Sequence, residues 1–206
     1  MILVPDQVTM TVEESEAWHN VIQGWSTDIL QWYDALAKVL PIGARVVEVG
    51  IYRGRSLLFL ASELVRRFGT GPGFAPLFEV YGVDPLMWDG GVLARETYSN
   101  LIRFNHEVIN TARILRAPSE MAARMFDDGS VDVVFLDGNH DHDSVKADIR
   151  AWKPKVRPGG ILAGHDYTDV FGDFPGVKRA VDELVGAVSV SGSVWWATMN
   201  AKKRPK

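Results

Sequence analysis

The chain reads as a doubly wound α/β domain, with a mostly parallel seven-stranded sheet, an antiparallel edge hairpin and an added N-terminal helix. Two observations carry this. Short β-branched runs alternate with longer amphipathic stretches, the pattern of a parallel sheet covered by helices on both faces. The polar and glycine-rich residues gather just after the strands, where such sheets bind ligands at their carboxyl ends.

The elements follow in order. Residues 13–40 have helical character, with Thr11 or Ser15 as cap and Pro41-Ile42-Gly43 as the stop. Trp18, Trp25 and Trp32 recur every seven residues on one face, near Val21, Ile22, Ile29, Leu36 and Val39. This describes a helix docked on the domain; a subunit interface or a cover over the site would use tryptophan in the same way. Arg45–Val49 is the first strand, and Ser56–Phe68 the helix after it. The loop 69–76 leads to the strand Leu77–Val83, and Val92–Phe104 is helical. Ala112–Leu115 is a strand and Ser119–Phe126 a helix with Ser119 as its cap. Val131–Leu136, the helix Ser144–Trp152, a turn at 157–160 and the strand Ile161–Gly164 come next. The helix Val177–Val185 and a hairpin of Ala187–Val190 with Val194–Thr198 complete the domain, and 201–206 is a frayed basic tail. The boundaries expected are an extension over 1–42, a domain over 43–200 and the tail.

Bulk composition narrows the chemistry. With no cysteine, thiolate nucleophiles and cysteine zinc sites are excluded. A net charge of -4 argues against nucleic acid as a partner. No stretch approaches the roughly 20 apolar residues of a membrane span, and the N-terminus lacks a basic, apolar leader pattern. A soluble cytoplasmic protein with a small-molecule ligand is expected.

Four strand exits hold the candidate chemistry. Val47–Ser56 (VEVGIYRGRS) places Gly50 and Gly54 where a backbone must pass close to a ligand. It is not the dinucleotide fingerprint, because Tyr52 stands where a glycine is needed. Glu48, two residues before Gly50, suits a ligand bearing positive charge. Asp84, at the end of YGVDP, is placed to accept ribose hydroxyls, or simply to make a turn before Pro85. The densest cluster is VDVVFLDGNHDH at 131–142, answered by GHDY at 164–167. Asp137 and His165-Asp166 would be neighbours on adjacent strands about 4.8 Å apart, able to converge on one ion.

Together, VVEVGIYRGRS, YGVDP and DDGSVDVVFLDGNHDHDSVKADIRAWKPKVRPGGILAGHDY resemble the class I S-adenosylmethionine-dependent methyltransferases. The nearest branch includes macrolide-sugar O-methyltransferases and cephalosporin-hydroxylase-like proteins. The likeness covers roughly residues 43–185 and implies a Rossmann-like fold and methyl transfer to a sugar or natural-product hydroxyl. It places Glu48, Gly50, Tyr52, Gly54 and Ser56 around the methionine part of S-adenosylmethionine. Asp84 falls on its ribose and Ser119 near its adenine, while Asp137 faces the sulfonium. His140 corresponds to the general base. Asp137, His165 and Asp166 correspond to the ligands of a divalent metal, Mg²⁺ or Mn²⁺, although the branch has an acid where this chain has His165. His142 reads as solvated or supporting, and His19 and His106 as ordinary histidines. Residues 86–110, with Met87, Trp88 and Tyr98, are expected to close over the substrate, and a homodimer is expected from the tryptophan stripe. The competing readings are a metal-free methyltransferase acting on oxygen or nitrogen, a non-catalytic cofactor binder, and an NAD-dependent oxidoreductase, which Tyr52 disfavours.

Overall fold

The computed structural model describes residues 22–24, 27–104, 111–168 and 174–200. Trp18, Trp25, Val21, His19, His106, the caps Thr11 and Ser15 and the tail 201–206 lie outside these residues.

The element order is α1 (Thr27–Val39), β1 (Arg45–Val49), α2 (Arg55–Phe68), β2 (Glu79–Val83), α3 (Val92–Arg103), β3 (Ala112–Leu115) and α4 (Ser119–Ala123). There follow β4 (Val131–Leu136), α5 (His142–Trp152), β5 (Val156–Gly164), α6 (Pro175–Leu184), β6 (Ser189–Ser191) and β7 (Val194–Thr198). The seven strands lie in the order β3-β2-β1-β4-β5-β7-β6. The first five are parallel, and β7 runs antiparallel between β5 and β6. The hairpin therefore joins through β7, and the short β6 forms the edge.

Both faces of the sheet are covered, which explains the near-continuous apolar strands. On one face Leu57, Leu58 and Leu60 of α2 pack with α1, Val46 and Phe135. On the other Ile149 and Trp152 of α5 and Val181 of α6 meet Val47, Val134 and Leu162. Trp32 of α1 is 1% exposed and lies against Tyr33, Phe135 and Trp196, with ring centroids 5.5, 5.3 and 6.3 Å away. So this tryptophan of the stripe faces the sheet, and truncating it to alanine would cost about 3–5 kcal/mol.

Two local expectations change. Residues 157–160, expected as a turn, belong to β5, where the pairing with β4 shifts register between Val131 and Val133. Gly160 permits this, because a Cβ there would stand 2.6 Å from the Asp132 carbonyl oxygen. Ser119 does not cap α4: Pro118 precedes the helix and no side chain caps it. The Ser119 hydroxyl instead accepts a hydrogen bond from Trp152 Nε1 at 2.9 Å.

β1 and β4 are adjacent, yet the chain leaves β1 toward one face and β4 toward the other. Their carboxyl ends form the gap in which doubly wound sheets bind ligands.

Candidate active site

A cleft of about 910 Å³ opens at this gap. Gly50, Tyr52 and Ser56 line it from the β1 exit, Asp84 from β2, Ser119 and Glu120 from the start of α4, Asp137 and His140 from β4, and His165 and Asp166 from β5. Gln23, Gly24 and Ile29 of the N-terminal segment close one side. The sequence-predicted residues are thus brought to one cavity, except Glu48 and Gly54, which do not line it.

The β1 exit is shaped by close approach. Gly50 has φ +83, and a Cβ there would stand 2.0 Å from the Asp137 carbonyl oxygen. No side chain is compatible with both conditions. Tyr52, Leu86 and Asp166 also carry positive φ, of 47, 50 and 60. Strained residues thus mark the exits of β1, β2 and β5, the positions where strain is retained for function.

Glu48 lies behind the cleft wall, 1% exposed. Tyr33 of α1 donates to its Oε2 at 3.1 Å, and Ser56 donates to its Oε1. Burial, with the field of Asp137, pushes the Glu48 carboxyl up to about 8 against the hydrogen bond from Ser56. Asp84 accepts from the amides of Ile51 (3.1 Å) and Leu86 (2.7 Å), while burial still raises its pKa. Each oxygen keeps a lone pair for a ligand hydroxyl.

The reactive corner joins β4 and β5. His140 Nε2 is 2.9 Å from Asp166 Oδ2 and 3.6 Å from Asp137 Oδ1. Its ring stacks on Phe174, centroids 4.2 Å apart at 28°. The neighbouring carboxylates of Asp137 and Asp166, opposed by burial, push His140 up to about 9. Asp166 is held well below the usual carboxylate range: burial opposes this, but His140 and His165 prevail.

His165 turns Nδ1 toward Asp137, 3.7 Å away, and Asp166, and Nε2 toward α1. Its Nε2 lies 3.2 Å from Asp28 Oδ1 and 2.8 Å from Ser193 Oγ, and its Nδ1 3.3 Å from Asp166 Oδ1. Burial lowers its pKa, but Asp166 and Asp28 outweigh that and push it up to about 10. Among the described residues, the ligand atoms that converge within 4.8 Å of one another are those of Asp137, His140 and Asp166. The sequence had placed His165, not His140, in that group. Two carboxylates and an imidazole fit a divalent cation.

Three further residues went unforeseen. Asp28 and Tyr33 of α1 support the site from far along the chain. Asp148, within the motif that carried the resemblance, lines the cleft and is only 8% exposed. His142 pairs with Glu183 at 3.2 Å and so ties α5 to α6, while Asp141 caps α5 by accepting from the Ser144 amide at 3.0 Å. Of the segment 86–110, Leu93 lines the cleft; Tyr98 lines a second hollow with Ile102 and Arg116, and Met87 is 76% exposed. The side chain of Trp88 lies outside the described residues. α3 is fastened to the β1 exit: Thr97 Oγ1 donates to the Tyr52 carbonyl at 2.7 Å and Asn100 Nδ2 to that of Arg53 at 3.0 Å.

The fold recurs in solved structures at low identity. One is CalS11, a TDP-rhamnose 3'-O-methyltransferase of calicheamicin biosynthesis, with 17% identity, a TM-score of 0.61, and coverage of 84% of this chain and 79% of that one. Another is TomG from Streptomyces achromogenes, an O-methyltransferase involved in tomaymycin synthesis, in complex with SAM. It shows 19% identity, a TM-score of 0.60 and coverage of 86% and 82%. A curated relative, the uncharacterized protein y4gI of Sinorhizobium fredii, is 30% identical over 127 residues, or 59% of this chain. The chain spans 13% of that relative's length. Residues 47–167, covering every strand exit described above, match the model of the methyltransferase domain, and the chain belongs to that family.

Proposed function

We propose that this chain transfers the methyl group of S-adenosylmethionine to a hydroxyl of a small molecule, a sugar or natural product. The observation that carries the reading is His140, held by Asp137 and Asp166 at the β4–β5 corner of a cleft whose β2 side presents Asp84. The methionine part would lie along the Gly50–Ser56 turn and the ribose at Asp84. TomG, similar in fold, was solved with this cofactor, and CalS11 acts on a deoxysugar nucleotide, which suits the substrate class.

In the reaction the acceptor oxygen attacks the methyl carbon in line with sulfur. The carbon–sulfur bond breaks, its electron pair stays on sulfur, and S-adenosylhomocysteine is released. The hydroxyl proton passes to the neutral imidazole of His140. The cleft contributes chiefly alignment. The two carboxylates keep His140 protonated at neutral pH, since it is pushed up to about 9. The sulfonium placed beside Asp137 offsets the two carboxylates and brings the imidazole back toward its proton-accepting range.

A second reading rests on the convergence of Asp137, His140 and Asp166. These side chains would hold Mn²⁺ or Mg²⁺, and the ion would acidify the acceptor hydroxyl. His140 Nε2 cannot be ligand and base at once, so the readings separate: activity unchanged in EDTA leaves the base, and activity lost in EDTA but restored by Mn²⁺ leaves the ligand. The expected dimer gains nothing from Trp32, which is buried in the chain's own core; sedimentation would measure the assembly state.

Calorimetry with S-adenosylmethionine and with NADH tests the whole reading. Micromolar binding of the first and none of the second is expected. Folded protein that binds no S-adenosylmethionine would sink the proposal.

A further inference from the structure

The outer side of α3 carries a second hollow, of about 490 Å³, that the chemistry above leaves unused. Leu93 of this helix lines the cleft, whereas Ala94, Arg95, Tyr98, Ser99 and Ile102 line the hollow. Arg116 joins them from the exit of β3. Helical spacing sorts these side chains into two rows. Ala94, Tyr98 and Ile102 recur every four residues as an apolar ridge, and Arg95 and Ser99 form a polar one beside it.

The fold leaves both the surface and the charge of this hollow uncompensated. Ile102 is 79% exposed and Tyr98 is exposed beside it, so the ridge stands in solvent. The nearest acids in sequence serve other cations: Glu96 pairs with Arg53 at 2.5 Å, and Glu79 with Arg45 at 2.6 Å and Arg113 at 3.5 Å. Among the described residues no carboxylate pairs with Arg95 or Arg116. Arg116 is nevertheless held in place, because its Nε donates to the Pro85 carbonyl at 3.2 Å. Its two terminal nitrogens keep their donors for a ligand. A guanidinium fork matches a phosphate bidentately, and a phosphate monoester carries close to two negative charges at neutral pH, which the second guanidinium balances.

We propose that this hollow binds a phosphate monoester with an apolar body, the phosphate between Arg95 and Arg116 and the body along Tyr98 and Ile102. Its size is that of a small-molecule site. The assignment stands apart from the cofactor reading, since no residue lining the hollow lines the cleft.

Calorimetry with phenyl phosphate tests it, with inorganic phosphate and phenol as partial probes. The wild-type protein is expected to bind phenyl phosphate more tightly than either, and less tightly as NaCl is raised. Arg95→Gln and Arg116→Gln should each weaken phenyl phosphate by on the order of tenfold or more. Tyr98→Ala should weaken phenyl phosphate but not inorganic phosphate, and melting curves establish that each variant is folded. No binding of phenyl phosphate, or equal binding by the folded arginine variants, would overturn the proposal. Saturating S-adenosylhomocysteine should change the affinity by no more than a few-fold; full competition would put the anion in the cleft and overturn the assignment. Failure of S-adenosylhomocysteine itself to bind would count against the cofactor reading alone.

Discussion

Asp28 of the first helix and His165 at the end of β5 are 137 residues apart in sequence and 3.2 Å apart in space. Asp28 also accepts from the Ser193 amide at 3.0 Å and hydroxyl at 2.7 Å, so one carboxylate joins α1, β5 and the β6–β7 turn. Through His165 Nδ1 the contact continues to Asp166, and from there to His140. The N-terminal helix is thereby coupled to the reactive corner.

Breaking this link should show in stability and in its pH dependence. Asp28→Asn removes a charge-assisted hydrogen bond that is largely shielded from solvent, a loss of about 2 kcal/mol, or roughly 4–8 °C in Tm. His165 is raised in the folded state to about 10 from 6.5. A raised histidine contributes stability that is full below its unfolded pKa and is lost as pH rises through the folded one. Urea midpoints of wild type and variant should therefore differ most near pH 6 and converge above about pH 10. A gap independent of pH would show that the pair carries no charge linkage.

The two glycines Gly50 and Gly43 predict losses of very different size for the same substitution. Both have positive φ, of 83 and 88, but only Gly50 faces the Asp137 carbonyl oxygen at 2.0 Å from a built Cβ; Gly43 meets nothing within 4 Å. Gly43→Ala should cost about 1 kcal/mol, the strain of the left-handed backbone alone. Gly50→Ala should cost more than about 4 kcal/mol, or yield no soluble protein, because strand β4 would have to move. Thermal melting of both variants decides it, and equal costs would refute the close approach.

Glu48 carries a second pH dependence. Its folded pKa of about 8 exceeds the usual 4.5. For a raised carboxyl group, folding is favoured while both states are protonated, and that contribution fades from pH 4.5 upward until it is gone above pH 8. Glu48→Gln keeps the neutral form and the Ser56 and Tyr33 partners in place. The gap between the urea midpoints of wild type and variant should change between pH 5 and 8 and stay constant above, because the histidines contribute alike to both. Parallel curves would mean that Glu48 is ionised in the folded protein throughout.

The strand exits were legible because each apolar run stops abruptly at a charged or glycine-rich step. VVEVG, YGVD, FLDG and LAGHD all do so, and all four line or flank the cleft. What escaped was decided by partners distant in sequence. Nothing local announced the pairing of His165 with Asp28. Ser119 had the composition of a cap, but Trp152, 33 residues on, took its hydroxyl. The glycines of 157–160 were read as a turn because a register shift inside a strand uses the same residues. Asp148 was visible inside the motif, yet only packing put it in the cleft.

The role of His140 yields the most exposed prediction. As general base it must be neutral, so kcat/KM, which reports the free enzyme, should rise with pH along an acid limb near 9. Asp166→Asn removes one of the two acids that raise it, and the limb should move toward 6.5. His140→Ala should lower kcat by about a hundredfold or more while S-adenosylmethionine affinity stays within a few-fold, since the imidazole meets the acceptor rather than the cofactor. If His140 were instead a metal ligand, Mn²⁺ binding by calorimetry would be lost in His140→Ala and in Asp166→Asn alike. A limb that stays near 9 in Asp166→Asn removes His140 as the base.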